Sequence, residues 1–106
     1  MAHTYKNSKV DLTTTDITTV YTVPTDTTTI IKSIIVSEDS GSADEITLTI
    51  TNGSDAFSLY KDKAVTAKQT LDLLSTPLVL TTGEILKATA ATANRLHIIC
   101  SYLEIT

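Results

Sequence analysis

The stretch Ile46-Thr47-Leu48-Thr49-Ile50-Thr51 alternates apolar and polar residues without a break, and Asn52-Gly53-Ser54-Asp55 follows it. Strict alternation with a period of two predicts a strand with one buried face and one wet face, as in antiparallel sheets. A second alternating stretch, Phe57-Ser58-Leu59-Tyr60-Lys61, comes shortly after the Asn-Gly pair. Because Asn-Gly supplies the two positive-φ residues of a type I′ turn, residues 46–61 are predicted to form a β-hairpin.

Further strands are predicted on both sides of this hairpin, from short runs rich in β-branched residues that turn residues separate. Residues 29–37 and 95–105 are apolar on both faces, so we expect central strands or strands covered by a partner. A helix over residues 88–94 is the weaker interpretation of its alanines, because threonines lie nearby and no cap is present. The remaining predicted strands are residues 17–23, 69–74, 78–80 and 84–89. The sequence therefore predicts an all-β protein, a single antiparallel β-sandwich of seven to eight strands that is jelly-roll or immunoglobulin-like.

The first sixteen residues differ from the rest, because Tyr5, Val10 and Leu12 are isolated apolar residues without sustained alternation. We therefore divide the chain into an N-terminal arm or edge strand, residues 1–16, and a β-sandwich domain, residues 17–106. An arm or exchanged strand laid over a neighbouring molecule and a disordered terminus are both compatible with this stretch.

Composition excludes several classes of protein. The chain has 106 residues, enough for one domain, and 42% of them are hydrophobic. Its net charge of −4 argues against a nucleic-acid-binding protein, which would usually carry a basic face. A single cysteine cannot form an internal disulfide. No signal peptide and no apolar run of membrane-spanning length are visible, so we expect a protein made in the cytoplasm, with no membrane partner.

Residues with reactive side chains are few and badly placed for chemistry. His3 lies near the terminus, and His97 shares a strand face with Ile99, so we interpret His97 as a core or interface histidine. Cys100 is three residues from His97, hence on the opposite face of a strand, and cannot pair with it as nucleophile and base. The acidic segment 38–45 lacks the ligand spacing of an EF-hand and is interpreted as a solvated loop. No catalytic residue, metal ligand or cofactor is predicted, and an enzyme is not expected.

Three stretches occur in an order that resembles a known family. They are Val20-Tyr21-Thr22-Val23-Pro24 with the β-branched run up to Val36, then Pro77-Leu78-Val79-Leu80-Thr81-Thr82-Gly83-Glu84-Ile85-Leu86, and then Ser101-Tyr102-Leu103-Glu104. Together they resemble small β-sandwich structural proteins of tailed bacteriophages, which serve as capsid decoration (cement) proteins or as neck or tail accessory proteins. The likeness covers about residues 17–105 and brings no functional residue with it.

The resemblance implies a non-enzymatic virion protein, most simply a capsid decoration protein that binds and stabilises the assembled shell. Its expected partners are the major capsid protein or other virion proteins, and a homo-oligomer is expected, with a trimer favoured. In the N-terminal arm, Tyr5, Lys6 and Lys9 are predicted to dock on a partner. The alternatives are a neck, tail or fibre accessory protein and a carbohydrate-binding module for host attachment. The absence of tryptophan argues against the module.

Overall fold

The computed structural model describes residues 2–106, and within them it contains nine β-strands and no helix. The strands are β1 (His3–Leu12), β2 (Thr18–Thr22), β3 (Thr28–Glu38), β4 (Asp44–Asn52), β5 (Asp55–Val65), β6 (Thr70–Asp72), β7 (Leu78–Leu80), β8 (Ile85–Ala90) and β9 (Leu96–Ile105).

The strands form two antiparallel sheets. Sheet A has the order β1-β9-β3-β6, with β7 pairing to another part of β3, and sheet B has the order β2-β8-β4-β5. The chain passes repeatedly from one sheet to the other, which gives the strand order of a jelly roll. The predicted β-sandwich is therefore confirmed, and the topology selects the jelly roll over the immunoglobulin-like alternative. The strand number is nine instead of seven or eight, because β1 adds a strand to the eight runs visible in the sequence.

Strand β1 lies at the edge of sheet A. All ten of its residues are paired with β9, from His3 opposite Ile105 to Leu12 opposite Leu96. Of the possibilities that the sequence left open for the N-terminal segment, an edge strand is the one seen in this structure. Few apolar residues suffice for such a strand, because only its inner face meets the core, and there Leu12 is fully buried.

The hairpin predicted over residues 46–61 is present as β4 and β5, but its turn differs from the prediction. Asn52 pairs with Asp55, so Gly53 and Ser54 are the two central residues of the turn. Of these two only Gly53 has a positive φ, +63°. This is the φ pattern of a type II′ turn, which needs glycine at its first central position, and the predicted type I′ turn is wrong.

The core lies between the sheets and is built from alternating residues of both. Strand β4 contributes Ile46, Leu48 and Ile50, while β8 contributes Leu86 and two small alanines. Sheet A contributes the inward residues of β3 and β9, namely Ile31, Ile34, Val36, Leu96, Ile98 and Cys100, all of them fully buried. The prediction that residues 29–37 form a central strand is confirmed, since β3 lies between β9 and the short strands β6 and β7.

Candidate interaction surface

The outer face of sheet A carries a row of apolar side chains that crosses four strands. Residues directly opposite one another in an antiparallel ladder project to the same face. Tyr5 is opposite Leu103, Leu103 is opposite Ile30, and Ile30 is opposite Val79. The two ends of this row are open to solvent, since Tyr5 is 74% exposed and Val79 is 57% exposed. We call Tyr5, Leu103, Ile30 and Val79 the apolar row.

A second row on the same face has apolar residues at its centre and opposite charges at its ends. Lys9 is opposite Ile99, Ile99 is opposite Ile35, and Ile35 is opposite Asp72. Ile99 is 39% exposed. Within residues 2–106, Lys9 forms no ion pair, and its ammonium donates only to the Asn7 side chain, at 2.9 Å. We call Lys9, Ile99, Ile35 and Asp72 the charged row.

Small polar residues separate the two rows. Asn7 is opposite Ser101, and Ser101 is opposite Ser33 on β3. The short serine side chains leave a shallow depression next to Lys32, where β3 contains a bulge. The face therefore alternates between wide apolar side chains and a low polar strip. A flat surface of this kind suits contact with another protein surface better than enclosure of a small molecule.

The three predicted docking residues do not share one surface. Tyr5 and Lys9 belong to the outer face of sheet A, in the apolar row and the charged row. Lys6 projects to the inner side of β1, where its ammonium forms an ion pair with Glu104 at 2.8 Å. Alternation along a strand separates Lys6 from its two neighbours in the prediction. The structure thus joins Tyr5 and Lys9 with residues of four other strands, whereas Lys6 is half-exposed and joins a hydrogen-bond network centred on the buried Glu104.

That network fastens the edge strand β1 and both sheets to one another. The Tyr21 hydroxyl, on sheet B, donates to Glu104 of sheet A at 2.6 Å and lies 2.7 Å from the Thr29 hydroxyl. Glu104 is only 6% exposed, and Lys6 covers its other oxygen. The rings of Tyr21 and Tyr102 pack with their centroids 4.1 Å apart. Each buried polar group in this network therefore has a partner, as buried polar groups require.

The charges of this network shift the pKa values of its members. The hydrogen bond and charge of Lys6, with the hydrogen bond from Tyr21, hold the pKa of Glu104 below its ordinary value. Reciprocally, Glu104 raises the pKa of Lys6. Burial, followed by the bond to Glu104, raises the pKa of Tyr21 far above its ordinary value. The carboxylate and the ammonium are therefore both charged at neutral pH, while the phenol is neutral and donates.

His97 lies on the outer face of sheet A and not in the core, and its side chain is 44% exposed. Its Nε2 is 3.3 Å from a carboxylate oxygen of Asp11, and its Nδ1 is 3.4 Å from one of Asp39. Of the two interpretations of His97 from the sequence, the core histidine is wrong, and the interface histidine stays a prediction. Both faces of β9 are apolar, so the pattern alone did not show which of them meets the other sheet.

The acidic segment 38–45 contains two buried carboxylates, Glu38 and Asp44, and Asp44 accepts a hydrogen bond from the Thr92 N–H at 3.2 Å. Glu38 is 2% exposed and accepts hydrogen bonds from the backbone N–H groups of Ser40, Gly41 and Lys68, and from the Ser40 hydroxyl. Burial alone would raise the pKa of Glu38, but these hydrogen bonds outweigh it and lower the pKa to about 2. Only residues 39–43 of the segment form a loop, which is exposed, and Glu38 at the end of β3 anchors it through hydrogen bonds.

The other candidates from the sequence take no part in a shared site. Cys100 is fully buried, and burial raises the pKa of its thiol to about 12. Among residues 2–106 no group of three or more His, Cys, Asp or Glu side chains is arranged to hold a metal ion. The same part of the chain contains no helix that is long and apolar enough to span a membrane. The surface that does stand out therefore consists of the apolar and charged rows.

Sequence reasoning missed two of the eight members of these rows. Val79 and Asp72 lie on the short strands β7 and β6, and nothing nearby in the sequence links them to Tyr5 or Lys9. The available signal was the apolar outer face of residues 29–37 and 95–105, which contributes Ile30, Ile35, Ile99 and Leu103.

Comparisons of this chain with protein-family models, with curated proteins and with solved structures found no match in any of the three.

Proposed function

We propose that the chain is a non-enzymatic structural protein of a bacteriophage virion, in first place a capsid decoration protein that binds and stabilises the assembled shell. The observation that carries the proposal is the position of the exposed apolar side chains. Tyr5, Val79 and Ile99 lie on one flat sheet face, and Ile17 and Phe57 stand in or beside loops. A shallow depression of about 330 Å³ beside Lys9, Asp11 and His97 lies on the same face, and the exposed apolar side chains around it favour contact with a protein surface.

The rigidity of the sandwich supports the same role. Glu38 and the network of Lys6, Glu104 and Tyr21 fasten loops and the edge strand to the core at two separate places. A decoration protein works by holding subunits of a shell in fixed positions, and many weak contacts repeated over a symmetric shell add up through avidity. A rigid protein binds with a more favourable free energy, because it loses little conformational entropy when it docks.

The test is the copy number of this chain in purified particles, measured by quantitative mass spectrometry against the major shell protein. A count comparable to that of the shell protein is expected. A count far below it would assign the chain to the neck or tail as an accessory protein. Absence from the particles would overturn both structural assignments and would favour a soluble binding module.

A second measurement addresses the stabilising role itself. Shells that lack the chain should bind the purified protein saturably and should then resist heat better, as measured by differential scanning calorimetry. Ile17→Ser and Phe57→Ser are matched variants, because each removes one exposed apolar side chain, and the two lie at opposite ends of the sandwich. Loss of shell binding in only one of them would identify the end that faces the shell. An unchanged shell melting temperature at saturation would contradict the stabilising role.

A further inference from the structure

The charged row and the apolar row on the outer face of sheet A are each complementary to themselves when the order of the strands is reversed. The charged row begins with the positive Lys9 on β1, continues across the sheet with two isoleucines, and ends with the negative Asp72 on β6. The apolar row runs in the same direction from Tyr5 to Val79. Reversing the order of the strands therefore brings Lys9 against Asp72 in the charged row, and it brings apolar residues against apolar residues in both rows.

We propose that a second copy of this chain docks on the outer face of sheet A, related to the first by a two-fold axis parallel to the strands and between β9 and β3. Rotation about such an axis keeps the position of each row along the strand direction. It reverses the order of the strands across the interface. The facing pairs are then Lys9 with Asp72, Ile99 with Ile35, Tyr5 with Val79, and Leu103 with Ile30. Each pair occurs twice, as a two-fold interface requires.

The charges favour this axis over the other in-plane two-fold arrangement. An axis perpendicular to the strands, centred on Ser101, would exchange the apolar row with the charged row. Asp72 would then face Val79, and the carboxylate would lose water without gaining a cation, which is unfavourable. The axis parallel to the strands gives each Asp72 a Lys9 of the other copy at the rim of the interface. Rim charges of this kind set the register and the partner more than the affinity.

The dimensions of the face set the expected strength. Four strands about 4.8 Å apart are about 20 Å wide, and the run from Tyr5 to Asp11 is about 20 Å long at ~3.4 Å per residue. Such a face buries about 800 Å² in total over the two copies, which is below the roughly 1,200 Å² of stable interfaces and typical of weak, transient contacts. We therefore expect dissociation constants in the micromolar range, with the apolar residues supplying most of the favourable free energy.

This geometry also fits the proposed function, although it does not depend on it. A two-fold axis parallel to the strands does not reverse the direction of the strands. The same loops of both copies, among them the β1–β2 loop with Ile17, therefore lie at the same end of the pair. A pair of that kind can present two identical ends to one surface, and docking on a shell would gain from the two linked contacts.

The experiment is a charge exchange followed by sedimentation velocity of the purified full chain over a wide concentration range. Lys9→Asp and Asp72→Lys each place like charges opposite one another, twice per pair. Each variant is expected to weaken dimerisation at least tenfold. The double variant restores opposite charges and should return to within about threefold of the original dissociation constant. Lys63→Asp on β5 is the matched control, because it makes the same charge change on an exposed residue of sheet B.

Asp72 also accepts a hydrogen bond from the Leu74 N–H, so Asp72→Lys can loosen the turn that follows β6. Thermal melting of each variant measures how far loss of this hydrogen bond lowers stability. The double variant lacks the same hydrogen bond, so recovery of its dimerisation can only come from the restored pair of opposite charges. A chain that is monomeric at every concentration, or that forms a trimer, would overturn the proposal. Failure of the double variant to recover would also overturn it. None of these results involves a virion, so they leave the proposed function to its own test.

Discussion

Replacing Tyr21 by phenylalanine removes one hydroxyl from the centre of the buried network that joins the two sheets. That hydroxyl donates to Glu104 at 2.6 Å and lies 2.7 Å from the Thr29 hydroxyl, which donates to it. The ring is kept, so its packing against Tyr102 persists and no cavity forms. The substitution therefore isolates the contribution of two buried hydrogen bonds to the free energy of unfolding.

The two bonds are unequal. A hydrogen bond to a charged group contributes about 1.5–3 kcal/mol, and one between neutral hydroxyls contributes about 1 kcal/mol. Glu104 keeps its ion pair with Lys6, whereas Thr29 is fully buried and loses its acceptor. We expect Tyr21→Phe to lower the free energy of unfolding by about 2.5–4 kcal/mol. For a domain of this length, that corresponds to a Tm lower by roughly 10–20 °C.

Urea unfolding followed by far-ultraviolet circular dichroism measures this change. Tyr60→Phe is the matched control, since Tyr60 is half-buried on β5 and its hydroxyl makes no hydrogen bond to the described part of the chain. The control is expected to stay within about 0.5 kcal/mol of the original chain. If Tyr21→Phe also stayed within that range, the network would not stabilise the contact between the sheets, and our account of it would be refuted.

Three further predictions test other parts of the structure. Because the pKa of Glu38 is lowered from 4.5 to about 2 in the folded chain, its contribution to stability is present above pH 4.5 and is lost as the pH falls towards 2. The difference in unfolding free energy between the original chain and Glu38→Gln should therefore shrink over that range in urea titrations, and a constant difference would contradict this. Lys6→Gln should speed hydrogen exchange of β1 amides about threefold and leave β4 unchanged, measured by mass spectrometry, whereas equal changes in both strands would indicate global destabilisation. The buried Cys100 thiol, with its pKa raised to about 12, should not react with a disulfide reagent at about pH 8 until urea unfolds the chain, and fast reaction in native buffer would show that β9 opens.

The fold could be predicted largely from local signals. The alternation of residues 46–51 and the glycine at 53 determine a hairpin without reference to any other part of the chain. The boundary of the turn was misplaced because Asn52 pairs with Asp55, and that pairing depends on the register of the two strands. The sequence did not decide whether residues 1–16 form an edge strand, an arm or a disordered terminus, for a related reason. The residues of β1 become a strand by pairing with β9, more than eighty positions away in the sequence.

The candidate surface could be predicted only in part. The apolar outer faces of β3 and β9 were visible as residues with no polar alternation, and they suggested a covered strand. The rows themselves depend on the register of five strands, which joins Lys9 to Asp72 and Tyr5 to Val79. Register is set by long-range pairing, and a slip of one residue would move every side chain to the other face. For that reason neither the self-complementary charges nor the exposure of His97 followed from the sequence.

The edges that β5, β6 and β7 form are protected against strand addition, while the outer face of sheet A is left open. Edge strands invite pairing with other chains unless charges, bulges or short length prevent it. Strand β5 carries Lys61, Asp62 and Lys63 with a bulge where Asp62 has a φ of +52°, and β6 and β7 are three residues long. Strand addition along these three strands is therefore disfavoured. The exposed ends of the apolar row and Ile99 of the charged row favour a partner that packs face to face on sheet A.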